Sequence, residues 1–192
     1  MNCEHIQEIV CQQVLVDDYS VFSTQSTVFP PEIASDLTPG YLLERYLSYI
    51  RGATLSIIRP VTFENGIEFR LLATRWSLIC FLPQAEEGSS VILRICGGLL
   101  VQKHQCYRGE LRLTAEHETS GTRVTLQLSD YCPLILGNSS PSKIRYWLYR
   151  LTQAAIHRLV TVRFLVRLYR DFAGVTASVK VVAENSREGR PL

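Results

Sequence analysis

Arg158, Asp130 and His117 are the residues whose types and positions suit chemistry in this chain. Arg158 lies in a basic segment, residues 142–173, that holds one Lys, six Arg and a single carboxylate near its end. On a helical wheel of about 100° per residue, Arg158 falls roughly 220° from Arg145, among apolar side chains. A buried guanidinium needs a partner or a route to water. Arg158 is therefore predicted either to extend to an edge of the fold or form a structural ion pair, or to bind an anionic group of a ligand.

Asp130 is one candidate partner for Arg158. The segment YRGELRLTAEHETSGTRVTLQLSDY alternates apolar and polar residues on both sides of TSG, which is typical of a β-hairpin. If TSG forms the turn, Ala115 lies opposite Val124 and Asp130 faces inward. A carboxylate there would neutralise the guanidinium.

Two histidines are candidate general bases, because imidazole titrates near neutral pH. His117 is expected on the inward side of the hairpin near its turn, and His157 at the flank of the apolar helix face. Neither has a partner fixed by spacing, and both positions also suit a structural histidine. The sequence has no phosphate-binding loop, serine-hydrolase motif or Cys/His set at metal-binding spacing, so no cofactor or metal is expected.

Length and composition indicate one globular domain. The chain has 192 residues, 46% of them apolar, and a formal charge of +2. We predict a single domain over residues 1–174, with residues 1–18 uncertain between helix and strand, and a partly disordered tail over residues 175–192. The small net charge does not favour nucleic acid as a partner.

The chain shows no sign of export or of membrane insertion. Its first residues lack a basic stretch followed by an apolar run, and no stretch reaches the roughly 18–20 uncharged apolar residues of a membrane span. The six cysteines are scattered without a C-x-x-C pair and are predicted to be reduced core residues. A cytoplasmic location is expected.

The order of elements follows from turn and capping residues. Asn65-Gly66 predicts the first hairpin of an antiparallel meander of about six strands. Thr38 predicts the start of one helix that stops at Gly52. A second helix of about thirty residues is predicted to begin at Ser140 and end at Gly174.

This order resembles that of the START, polyketide-cyclase and birch-pollen-allergen superfamily, most closely at the hairpin YRGELRLTAEHETSGTRVTLQLSDY that leads to the last helix. The resemblance implies an α+β fold of the helix-grip type. In it, a curved antiparallel meander of about six to seven strands grips a long C-terminal helix, with an apolar cavity between sheet and helix. The cavity would hold a lipid, a sterol or a polyketide-like molecule.

The expected ligand site lies where the cavity that the resemblance implies meets the apolar face of the predicted long helix. Small residues midway along the inner helix face would leave room for a ligand, and aromatic residues of the sheet would line it. The residues assigned to the site are Arg158, Asp130, Trp76, Tyr107, Leu111, Leu126, Leu151, Ala154 and Ala155.

The arginines on the opposite side of the helix are predicted to form an exterior stripe: Arg145, Arg163, Arg167 and Arg170. The stripe is either a solvated surface or a contact for an anionic membrane or an acidic partner.

Three functions follow. The first is binding or transport of a hydrophobic small molecule. The second is a cyclase-like or hydratase-like enzyme that uses His117, Asp130 or Arg158. The third is docking to a membrane or a protein through the stripe.

Overall fold

A computed structural model describes residues 6–34, 37–105, 107–137, 140–174 and 177–192. The strands in this part of the chain are β1 Ile6–Leu15, β2 Val21–Phe29, β3 Ile58–Phe63, β4 Gly66–Leu71, β5 Ser77–Phe81, β6 Ala85–Glu87, β7 Ser90–Gly97, β8 Glu110–Glu118, β9 Gly121–Tyr131, β10 Ser178–Ala183 and β11 Arg190–Pro191. The α-helices are α1 Pro31–Ala34, α2 Pro39–Ala53, α3 Lys143–Tyr149 and α4 Ala155–Ala173.

One large sheet organises the described residues. Its strand order is β10-β1-β2-β9-β8-β7-β5-β4-β3, with β11 paired to β1 and β6 paired to β7. The β1–β10 pair is parallel, and the other pairs are antiparallel. The predicted α+β class, the six-stranded meander β3-β4-β5-β7-β8-β9 and the long C-terminal helix are confirmed. The sheet is larger than the six to seven strands predicted, because β1, β10 and β11 extend its edge and β6 pairs with β7.

The β8–β9 hairpin has the predicted register. Ala115 pairs with Val124, and Gly121 closes the turn opposite Glu118. Gly121 has a φ of +135°, and a Cβ at this position would lie 2.0 Å from the Phe29 carbonyl oxygen. Glycine is therefore required where the hairpin turn meets the end of β2.

Helix α2 begins as predicted. Thr38 is its N-cap, and the Thr38 hydroxyl accepts a hydrogen bond from the Tyr41 amide at 3.3 Å. Pro39 occupies the first turn. Gly52, the predicted stop, lies inside the last turn, and the helix ends one residue later at Ala53.

Both chain ends contribute to the sheet edge. Residues 6–15 form a strand and not a helix. Residues 175–192 are predicted to form a partly disordered tail, and within them residues 178–183 form β10 and pair with β1. Gln12 on β1 fixes the segment that follows β10. Its Oε1 accepts from the Ser186 hydroxyl at 2.6 Å and the Arg187 amide at 3.0 Å, while its Nε2 donates to the Arg187 carbonyl at 2.6 Å.

The long helix is interrupted by a π-helical turn over residues 150–154, between α3 and α4. Its N-cap is Ser142 and not Ser140. The predicted end is confirmed, because Gly174 has a φ of +67° and its amide donates to the Arg170 carbonyl at 2.9 Å. A π turn adds one residue and so rotates the two halves of the helix relative to each other.

Side chains fill the space between the sheet and the helices. Ile9, Phe29, Leu113, Val124 and Leu165 have 0% exposure and belong to one buried cluster. The region where the sequence predicts a ligand cavity is therefore occupied by core side chains.

Candidate functional site

The buried face of the long helix differs from the predicted one. In α4 it is centred on Thr161, Phe164, Leu165 and Leu168, with exposures of 0–2%. On the wheel, the centre of this face lies about 70° from Arg158. Arg158 is therefore exposed, at the edge of the buried face and not in its middle.

The buried side chains in the N-terminal half of the helix, before the π turn, also differ from the predicted ones. Tyr146 and Tyr149 are each 2% exposed, whereas Trp147 is 49% and Leu151 68% exposed. Ala154 is buried as predicted, but Ala155 is exposed. The extra residue rotates this half of the helix relative to α4, and the inward positions are 146 and 149 in place of the predicted 147 and 151.

Asp130 does not pair with Arg158. It has a φ of +51°, and the pairing of β9 with β2 shifts by one residue here, which marks a β-bulge. A bulge turns the extra residue away from the face that alternation predicts. The Asp130 Oδ1 instead accepts from the Arg187 guanidinium at 3.5 Å.

The other predicted site residues are spread over the molecule. Leu111 and Leu126 are core residues, while Trp76 and Tyr107 are 65% and 80% exposed. His117 is exposed at the hairpin turn, where its Nδ1 lies 2.9 Å from the Thr122 hydroxyl.

The residues proposed for catalysis are not brought together. Thr122, paired with His117, is eight residues from Asp130 along β9. At about 3.4 Å per residue, His117 and Asp130 are therefore roughly 27 Å apart. A joint catalytic role for them has no geometric support.

A groove opens between α4 and the edge strand β10, and we call it the α4–β10 groove. Its volume is 430 Å³. Its walls are mostly aliphatic, with two arginines at the helix side. The lining residues are Gln13, Arg150, Leu151, Ala155, Arg158, Leu159, Val162, Val181 and Leu192. Three predicted ligand residues, Leu151, Ala155 and Arg158, thus meet outside the core.

The two arginines of this groove differ in their surroundings. The Arg150 guanidinium lies over the Trp147 ring, 4.9 Å from its centroid. Arg158 makes no ion pair or hydrogen bond with the described residues. Burial raises the pKa of the Cys11 thiol, and the charge of Arg158 partly opposes that rise. Arg158 is thus a cation at an apolar wall, available to a ligand.

A polar cluster that the sequence did not reveal lies beneath α4. The His157 Nδ1 is 3.4 Å from both the Gln13 amide nitrogen and the Ser23 hydroxyl, and Gln13 also donates to the Ala154 carbonyl at 3.2 Å. Gln25 donates to Ser23 at 2.8 Å. Because the Gln13 nitrogen donates, Nδ1 acts as the acceptor and neutral His157 carries its proton on Nε2. Desolvation lowers the pKa of His157 to about 4.

The signal for this cluster was present in β2. Val21, Ser23, Gln25, Thr27 and Phe29 share one face of that strand by its period of two, so polar residues interrupt an otherwise apolar inward row. The sequence alone does not show that α4 covers these polar residues, so their role could not be inferred from it.

The exterior arginines form a second groove near the end of α4. It has a volume of 420 Å³, and Tyr49, Arg163, Arg167 and Arg170 are among its lining residues. Burial raises the pKa of the Tyr49 hydroxyl, partly offset by Arg163 and Arg167. Arg167 lies 3.9 Å from Asp171. Arg145, the remaining member of the predicted stripe, lies instead beside Gly137.

The cysteines Cys11, Cys80, Cys96 and Cys132 are reduced thiols. Cys11 and Cys132 are buried, and burial raises the pKa of both. Cys3 and Cys106 lie outside the described residues. Within the described ranges, no three His, Cys, Asp or Glu side chains are grouped closely enough to hold a metal ion. No helix in these ranges is both long and apolar enough to cross a bilayer.

Comparisons with known proteins add little. No protein-family model and no curated protein matches the chain. Among solved structures, the chain is similar to the solution structure of CalU16 from Micromonospora echinospora, at 12% identity and a TM-score of 0.41, over 93% of this chain and 80% of that one. The crystal structure of CalU16 gives 11% identity and a TM-score of 0.33, over 88% and 98%. With TM-scores below 0.5, these similarities support neither a fold assignment nor a function for this protein.

Proposed function

We propose that this protein binds a hydrophobic small molecule that carries an anionic group, in the α4–β10 groove. The observation that carries the proposal is Arg158, which is exposed beside aliphatic walls and forms no ion pair with the residues that the structure describes. The molecule would be a lipid-like, sterol-like or polyketide-like acid. Apolar contact would supply most of the affinity, because burial of apolar surface contributes about 25 cal/mol per Å².

The dimensions of the groove support a small ligand. Its 430 Å³ lies within the roughly 300–1,000 Å³ of ligand-binding pockets. Leu159, Val162 and Val181 provide apolar contacts, and Arg158 offers a planar fork that suits a carboxylate or a phosphate. This arrangement fixes the direction of the ligand, with its acidic end toward Arg158.

Two naphthalene probes of similar shape test this proposal by fluorescence titration. One, 1-anilinonaphthalene-8-sulfonate, is an anion, and the other, N-phenyl-1-naphthylamine, is neutral. The protein should bind both and prefer the anion. Arg158→Gln should weaken binding of the anion about fivefold, which is the effect of roughly 1 kcal/mol for an exposed ion pair, and leave the neutral probe unchanged.

A groove-filling variant provides the matched test of location. Ala155→Phe places a ring in the groove from an exposed helix position and should weaken binding of both probes. Leu55→Phe, at an 87% exposed position in the loop after α2, should change neither. If Arg158→Gln and Ala155→Phe leave both titrations unchanged, the α4–β10 groove is not the site. Native mass spectrometry with lipid extraction would then identify any molecule that co-purifies.

A further inference from the structure

The outward face of α3 and α4 is apolar at one end and basic at the other. The apolar end consists of six exposed side chains, which we call the apolar patch: Ile144, Trp147, Leu148, Leu151, Ile156 and Leu159. Their exposures run from 49% to 80%. Within residues 144–151, and again between Ile156 and Leu159, patch residues lie three or four apart, a spacing at which side chains on a helix touch. The π turn over residues 150–154 lies between the two groups, and both groups are exposed.

The size of this patch sets it apart from ordinary surface. Six large side chains with these exposures present on the order of 600 Å², at the upper end of the roughly 300–600 Å² seen for the largest apolar patch of a monomer. Patches of this size mark contacts with a partner or a membrane.

Charge identifies the kind of surface that would cover the patch. The segment from Lys143 to Arg170 contains seven Lys and Arg residues and no Asp or Glu. Arg163, Arg167 and Arg170 continue the outward face beyond Leu159. Two copies of this face would bring like charges together, which opposes self-association through it.

We propose that this face docks the protein on the surface of an anionic lipid bilayer. The helix would lie in the plane of the interface, with the apolar patch at the level of the acyl chains and the arginines among the phosphates. Trp147 suits this depth, because indole rings prefer the membrane interface. The Arg150 guanidinium lies over the Trp147 ring, so a positive charge accompanies the indole at this depth. Arg163, Arg167 and Tyr49 line the open groove that would receive a headgroup phosphate.

Flotation of the full-length chain with vesicles tests the proposal. The protein should float with vesicles of phosphatidylcholine and phosphatidylserine, float poorly with phosphatidylcholine alone, and be released by salt. Ile144→Ser, Leu148→Ser and Ile156→Ser combined should reduce the bound fraction roughly tenfold or more. None of these three residues lines the α4–β10 groove, so the probe titrations should not change.

The matched control replaces Leu55, Leu72 and Leu99 by Ser. These residues are 87%, 49% and 52% exposed and lie outside the long helix, so flotation should not change. Arg163→Gln, Arg167→Gln and Arg170→Gln combined should remove most of the preference for phosphatidylserine. Circular dichroism confirms that each variant is folded.

Several results would overturn the inference. One is equal flotation of the serine variant and its control, and another is no binding to phosphatidylserine vesicles by the original protein. Retention on immobilised polyglutamate without flotation would assign the face to an acidic protein instead. A dimer in light scattering that the serine variant dissociates would assign it to a second copy of the chain.

Discussion

The partly buried His157 makes the stability of this protein depend on pH in the mildly acidic range. In the folded protein the pKa of His157 is about 4, because desolvation penalises the charged ring, while an unfolded histidine has a pKa near 6.5. Since the folded-state pKa is the lower one, the unfolded chain binds the proton first. The contribution of His157 to stability is therefore complete above about pH 6.5 and is lost as the pH falls from there toward 4.

The size of the effect follows from this difference. A depression of about 2.5 units corresponds to about 3 kcal/mol once both states are protonated. Between about pH 7.5 and about pH 5 the loss in the free energy of unfolding should be about 2 kcal/mol. His157 retains some solvent contact, so this is an upper value.

Urea unfolding followed by circular dichroism at these two pH values measures the loss. The comparison protein is His157→Gln, because glutamine can accept from Gln13 and Ser23 but does not titrate. The pKa values of Asp18, Glu68 and Glu118 are also lowered, and their effects cancel between the two proteins. If the original protein and His157→Gln lose equal stability, His157 is not desolvated and the described packing of α4 on β1 and β2 is wrong.

Three further changes test the helix faces and the backbone by urea unfolding. Leu168→Ala should lower the free energy of unfolding by about 2–5 kcal/mol, because removal of this buried side chain leaves a cavity. Leu151→Ala should change it by less than about 0.5 kcal/mol. The reverse order would show that the helix face predicted from the sequence is the buried one. Gly66→Ala should destabilise the protein severely, since its Cβ would lie 2.0 Å from the Phe81 carbonyl oxygen at a φ of +142°. Gly52→Ala, in open space within α2, should stabilise the protein by about 0.5–1 kcal/mol. Equal effects of the two variants would contradict the described turn at Gly66. Thr38→Ala should cost about 1 kcal/mol by removing the cap of α2, and an unchanged midpoint would show that this cap contributes nothing.

Local signals predicted the parts of the fold that local geometry decides. The register of β8 and β9 followed from alternation and the length of the turn, because a one-residue slip would move Ala115 and Val124 to the solvent face. Thr38 and Gly174 fixed helix ends because each satisfies backbone groups that a helix leaves unpaired.

The structural features that the sequence did not predict depend on contacts between residues far apart in the chain. The strand β10 is ordered by its pairing with β1, and the segment after it by hydrogen bonds to Gln12, more than 170 residues away. Asp130 was misplaced because alternation carries no sign of an inserted residue. Aspartate tolerates the left-handed conformation better than most residues, which permits the bulge that turns its carboxylate to Arg187.

The π turn explains why the predicted ligand site moved from the interior to the surface. Tyr146 faces inward, where the Tyr146 hydroxyl donates to the Pro191 carbonyl and the Arg190 guanidinium lies 3.6 Å from its ring centroid. These contacts hold the last strand against β1 and so place Leu192 in the wall of the α4–β10 groove. The extra residue of the π turn rotates Trp147 outward. On an uninterrupted α-helix, Trp147 would lie about 50° from the centre of the buried face, so the inserted residue places this side chain in the apolar patch.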